Sequence, residues 1–170
     1  VRIGSVLYSP GDAFLFLAEG ETTTEQFGIT VQDQFGEEAS GTFVFTITGV
    51  NDAPTVTEPS AISLLEDTGA EGAVVTTVAG SDIDGDTVTY AITSGNEAGY
   101  FAINAGTGEV TLTADGATAL NDDGLISTST TIGVTVSDGT LSSSEAPLEV
   151  TFGAQNDLSL IHISEPTRRP

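Results

Sequence analysis

The sequence predicts an all-β protein made of short strands joined by turns, and three observations predict it. Thr, Val, Ile, Gly, Asp and Ser dominate, a composition suited to pleated strands and tight turns. Helix-forming residues occur without a sustained 3.6-residue period. Apolar residues instead alternate with polar ones along short segments bounded by Gly and Asp. The 170 residues are enough for one ordinary domain and part of another, and too few for two comfortable ones.

Seven segments of the central region carry the alternation. They are marked by Ile62 and Leu64; Val74 and Val78; Val88, Tyr90 and Ile92; Phe101 and Ile103; Val110 and Leu112; Ile132, Val134 and Val136; and Leu148, Val150 and Phe152. Each set defines one inward face, so seven strands of a two-layer sandwich are expected. Tyr90, Phe101 and Phe152 sit on that face and are assigned to the core. The turns have their own chemistry in Glu66-Asp67-Thr68-Gly69, Ser81 to Asp86, Ala105 to Gly108 and Asp138-Gly139, where Gly supplies positive φ and Asp bonds its own backbone. Residues 114–130 show no clear strand pattern.

Self-similarity divides the chain. The run Ile29-Thr30-Val31-Gln32-Asp33 recurs as Val134-Thr135-Val136-Ser137-Asp138, and Asn51-Asp52 recurs as Asn156-Asp157, always at an offset of 105 residues. A fixed period of this length signals an array of similar structural units, and 105 residues suit a seven-stranded sandwich. Residues 53–157 are therefore read as one complete unit, and residues 1–52 as the end of its predecessor.

Charge excludes several functions. The formal net charge is −22, from 25 Asp plus Glu against three Arg and no Lys. Phosphate binding needs basic side chains that displace counterions, so nucleic acid is not an expected partner. Anionic membrane surfaces are disfavoured for the same reason, and no apolar run approaches the ~20 residues that span a bilayer. The absence of Cys removes disulfides and thiolate metal sites.

The C-terminal residues 158–170 differ in character and hold His162, Arg168 and Arg169. The string from Leu158 to Arg168 resembles the conceptual translation of a transposase-type sequencing adapter. It is set aside as an artefactual tail, and with it any role for His162.

Carboxylates are the remaining chemistry. Asp82, Asp84 and Asp86 alternate through a turn containing Gly85, a spacing that lets several oxygens converge on one hard cation. Taken alone, the motif fits a solvated turn equally well. In a seven-stranded sandwich, however, this turn and the Asp138 turn share the pole at which Asn51-Asp52 enters. Glu66, Asp67, Asp122 and Asp123 are expected at the opposite pole beside Asn156-Asp157. Two carboxylates about 4 Å apart repel by roughly 1 kcal/mol in water and about 4 kcal/mol at the dielectric of a partly buried site. A cation at each pole removes that penalty.

The stretches LLEDTG, SDIDGDTVTYAI, FAINAGTGEV and VTVSDG, flanked by NDAPTVT and QND, give residues 53–157 a resemblance to bacterial cadherin-like repeats. AFLFLAEGETTTEQFGITVQDQFG and SGTFVFTITGVNDAP make residues 1–52 resemble the C-terminal part of a VCBS repeat. The resemblance implies a Greek-key sandwich of the cadherin or immunoglobulin type, preceded by a partial β-sandwich, with Ca2+ bound between successive modules. By the same resemblance Asp82 and Asp84 match the D-x-D turn, Asp138 the later acidic turn, Asn51 and Asp52 the linker, and Glu66 the carboxylate that ends the first strand. Asn121-Asp122-Asp123 departs from the family pattern, which has a Glu there.

The function expected is that of a calcium-binding structural or adhesive repeat in a large extracellular or bacterial cell-surface protein. Its partners are neighbouring repeats of the same chain and an unidentified surface receptor or glycan. The implied metal set is Asn51, Asp52, Glu66, Asp67, Asp82, Asp84, Asp86, Asp138, Asp123, Asn156 and Asp157. A glycan-binding accessory module of an extracellular hydrolase is the alternative, but sugar platforms use exposed aromatics, and without Trp only Tyr100 is a candidate. An enzyme is not expected. Without Cys, Lys or a usable His, nucleophile–base pairs are unavailable and only a carboxylate pair remains.

Overall fold

The computed structural model describes residues 7–122 and 129–153. Chain order begins with a long hairpin, β1 (Thr22–Gln32) and β2 (Glu38–Thr48). The sandwich follows as β3 (Thr55–Val56), β4 (Ile62–Leu65), β5 (Val74–Thr77), β6 (Gly80–Ser81), β7 (Thr89–Ser94), β8 (Phe101–Ile103), β9 (Glu109–Leu112), a helix α1 (Ala114–Leu120), β10 (Ser129–Ser137) and β11 (Ala146–Gly153). One sheet has the order β4-β11-β10-β7 and the other β5-β9-β8, while β3 and β6 form a short separate pair. All pairs are antiparallel except β4 with β11, which run parallel.

The seven expected strands are β4, β5, β7, β8, β9, β10 and β11, and their alternating residues meet in one core. Val78, Phe101, Val110, Leu112, Leu120, Ile132, Val134, Leu148 and Val150 are buried together. Ile62, Leu64, Tyr90, Ile92, Ile103 and Phe152 pack against them at partial burial. Each fully buried aliphatic side chain contributes about 1.5–3 kcal/mol relative to an exposed one.

Three details differ from the sequence pattern. Val74 is 57% exposed rather than inward. The pairing of β5 with β9 shifts register between Val74 and Thr76, and such a bulge reverses the alternation, so Val75 faces the core and Val74 solvent. The β3–β6 pair, in register Thr55↔Ser81, is too short to carry a pattern. Residues 114–120, which lack strand alternation, form a helix.

That helix is specified by its cap and its docking. Thr113 Oγ1 accepts from Gly116 N at 3.0 Å and donates to Gly99 O at 2.7 Å, an N-cap that also fixes the preceding loop. Ala117, Ala119 and Leu120 are buried. Seven residues are too few for a helix to hold without such packing.

One turn depends on its glycine. Gly108 has φ of +70°, and a Cβ there would collide with the Val78 carbonyl oxygen and press on the Tyr90 ring. Tyr90 in turn anchors the loop by accepting from Gly80 N at 3.0 Å through its hydroxyl. These contacts position β6, and hence the acidic loop that follows it.

Candidate metal centre

The acidic loop begins where β6 ends. Asp82 Oδ1 accepts from Asp84 N at 2.8 Å, and Asp82 O accepts from Gly85 N at 3.4 Å, so the first carboxylate folds the chain back on itself. Gly85, at φ +83°, makes the reversal that an L side chain would resist. Oxygens from Asp82, Asp84 and Asp86 then lie within 4.8 Å of one another. Asp82 and Asp84 are half-buried, and Asp86 is exposed.

The linker is held against this loop by hydrogen bonds from two directions. Asp52 N donates to Asp84 Oδ2 at 2.8 Å, and Asn51 Nδ2 donates to Asp138 Oδ2 at 2.9 Å. Asp138 follows β10 and is anchored by Thr140 N and Leu141 N, which donate to its Oδ1 at 2.6 and 2.7 Å. The Asn51 hydrogen bond, followed by those from Leu141 and Thr140, holds the Asp138 carboxyl below the usual carboxylate range. Sheet pairing explains the convergence: β3–β6 lays residues 51–54 beside the acidic loop, and β7–β10, in register Thr89↔Ser137, brings the Asp138 turn to the same end.

Two oxygens in this assembly have no partner. Asp82 Oδ2 and Asp84 Oδ1 are buried and accept no hydrogen bond. Carboxylates at this separation repel by roughly 3 kcal/mol or more per pair at an effective dielectric of about 20. The chain's three Arg and its His all lie outside the described residues, so no basic side chain is available there to neutralise them. Buried, unpaired carboxylate oxygens on residues whose acidic oxygens gather this closely fit a hard divalent cation. Asp82, Asp84 and Asp86 are the group that could hold one, and Asn51 and Asp52 tie the linker to Asp138 and Asp84 beside them.

The opposite pole is organised differently. Asn121 Oδ1 accepts from Gly69 N at 3.1 Å and its Nδ2 donates to Gly69 O at 2.9 Å, clamping the end of α1 to the turn that contains Glu66 and Asp67. Glu66 N donates to Gly153 O at 3.0 Å, which places that turn where β11 leaves the sandwich. Glu66, Asp67 and Asp122 therefore lie on elements at one end. Among the described residues, however, only Asp82, Asp84 and Asp86 bring three acidic oxygens this close together. Asp123, Asn156 and Asp157 lie outside the described residues. In the sequence Asn121 stands out only as a departure from the family pattern, and its two-ended bond to Gly69 has no signature in spacing.

Tyr100, the candidate sugar platform, packs against the core at partial burial. No helix among the described residues is long and apolar enough to cross a membrane.

A solved structure agrees with the architecture. Drosophila N-cadherin domains EC1-3 superpose with a TM-score of 0.52 at 19% identity, over 70% of this chain and 41% of that one. Human protocadherin-24 EC1-2 gives a TM-score of 0.49 at 25% identity, over 63% of this chain and 46% of that one. The chain thus spans less than half the length of either relative. No curated protein matches the sequence. The family model described as Bacterial Ig domain matches residues 51–151, more than half of the chain, from the linker at Asn51 to Thr151 within β11. Such a domain is a structural repeat rather than a typical enzyme fold, and on this match the chain belongs to the bacterial Ig domain family.

Proposed function

We propose that this chain is a calcium-binding repeat that stiffens a large secreted or cell-surface bacterial protein, with the ion bound where one module is joined to the next. The observation that carries the proposal is the pair of buried, unpartnered oxygens, Asp82 Oδ2 and Asp84 Oδ1, beside a linker tied to the same loop through Asp52 N. A cation there neutralises the loop and fixes the linker in one step. Without it, repulsion within the loop favours opening and frees the linker direction.

Extracellular calcium modules bind with dissociation constants of about 10⁻⁴ to 10⁻³ M. The linker is then rigid at millimolar calcium and loose at cytosolic levels. The test is thermal unfolding of the full chain in chelator and in about 10 mM CaCl₂. At roughly 10 to 100 times the dissociation constant the ion adds about 1.4–2.7 kcal/mol, which for a domain of this size raises the melting temperature by roughly 6–20 °C. Equal melting temperatures in the two buffers would refute the proposal.

A further inference from the structure

Among the described residues aspartate is followed by glycine at Asp84-Gly85, Asp115-Gly116 and Asp138-Gly139, and the fold treats these pairs differently. At such a pair the backbone can attack its own side chain, because glycine has no Cβ to keep its nitrogen away from the preceding carboxyl carbon. Whether it does so depends on how firmly the two groups are held.

Asp138-Gly139 is held on both sides. Its carboxylate accepts from Thr140 N, Leu141 N and Asn51 Nδ2 at 2.6, 2.7 and 2.9 Å, and Gly139 N donates to Ser137 Oγ at 3.1 Å. All but the Asn51 bond belong to its own turn and stay with it wherever the linker goes. In Asp115-Gly116 the glycine nitrogen donates to Thr113 Oγ1 at 3.0 Å within the first turn of α1, and Gly116 is buried against the Tyr100 carbonyl. Asp84-Gly85 is held more loosely. The Asp84 carboxylate accepts from Asp52 N, at 2.8 Å, a donor that belongs to the linker and not to the loop. Gly85 N makes a long bond of 3.4 Å to Asp82 O. Gly85 is exposed at φ +83°, with no atom within 4 Å of the place a Cβ would take, so solvent reaches its nitrogen.

We infer that Asp84-Gly85 is a modification site at which aspartate converts to isoaspartate, opened when the linker leaves the acidic loop. The Gly85 nitrogen gives its proton to solvent and bonds to Asp84 Cγ, and one carboxyl oxygen departs as water. The five-membered imide then takes up a water. Opening at Cγ restores aspartate, whereas opening at the main-chain carbonyl leaves the peptide bond running through Cγ, as isoaspartate. Mass is unchanged, and no oxidant or reductant takes part. The main chain gains one methylene at residue 84, and the carboxylate leaves the position from which it meets Asp82 and Asp86. On the calcium reading above, a junction that stays without its ion then loses the site permanently. That consequence rests on the calcium reading, and the modification itself does not.

The test incubates the full chain at neutral pH in urea, in chelator and in millimolar calcium, and reads isoaspartate at each pair by peptide fragmentation. Urea gives the intrinsic rate of each pair. In chelator Asp84 converts within about tenfold of its urea rate, whereas Asp115 and Asp138 are slowed by at least ~100-fold, because firmly bonded segments react only through local opening. Asp52→Pro deletes the linker donor and raises the Asp84 rate further, while Asp115 and Asp138 stay slow. Suppression of Asp84 to the level of Asp138 in chelator would overturn the inference. So would equal conversion at all three pairs while the 129–153 amides stay protected from exchange. Calcium at about ten times its dissociation constant slows Asp84 by roughly tenfold, since the ion binds the closed loop alone. Conversion in chelator that calcium leaves unchanged upholds the modification and counts against the ion proposal.

Discussion

The two long hairpins of this chain pair their strands in the same register, yet Leu148 is fully buried and its counterpart Phe43 is 52% exposed. Local sequence therefore determines strand, register and turn, because alternation and the Asp-capped reversal act within one hairpin. It does not determine burial, which needs a second sheet at about 10 Å. The difference between the hairpins measures what tertiary packing adds to a register they share over six pairs, Thr24↔Thr46 to Ile29↔Gly41 and Ser129↔Thr151 to Val134↔Ala146.

The largest test of that comparison is a pair of truncations. Leu148→Ala removes a buried side chain and should cost about 2–5 kcal/mol in denaturant unfolding. Phe43→Ala should change stability by no more than about 0.5 kcal/mol, as exposed positions do. Equal costs would mean that the hairpin face is already packed.

The next effect separates the two Asp turns by their ions. Asp84→Asn should raise the melting temperature in chelator, by relieving repulsion, and should abolish the rise of roughly 6–20 °C expected in calcium. Asp33→Asn should leave the calcium response intact. A calcium response that survives Asp84→Asn would move the site elsewhere.

A smaller effect concerns α1, for which residues 11–16 show only turns in the corresponding part of the chain. Thr113→Ala removes the N-cap and should destabilise the sandwich by ~1 kcal/mol in the same unfolding assay. Residue-level exchange should place the loss at residues 114–120.

The smallest effect is electrostatic. Asp138 is held below the ordinary carboxylate range, chiefly by Asn51. A depressed native pKa contributes stability that is present above the unfolded value near 4 and is lost as pH falls through the native one. Asn51→Ala should move the Asp138 titration, followed by carboxylate NMR, up towards its ordinary value and should reduce that acid-dependent loss. An unmoved titration would show that the backbone donors suffice.

Much of the site was legible because its parts are local. The Asp82-Ile83-Asp84-Gly85-Asp86 turn declares itself through spacing, and seven strands in order dictate which turns share a pole with Asn51-Asp52. The bulge that turns Val74 outward left no trace, since it depends on how β5 meets β9. The α1 helix was equally silent: seven residues cannot display a period, and its stability comes from docking.

Composition, alternation and a 105-residue offset determined by themselves that the chain is a repeat-type β-sandwich with an acidic loop at its entry. Only the tertiary structure decided that Asp82 Oδ2 and Asp84 Oδ1 are buried without partners, and that Asn51 and Asp52 reach Asp138 and Asp84. The physical reason is that strand pattern and turn chemistry are properties of neighbours in sequence. Desolvation of an oxygen depends on every element that closes over it.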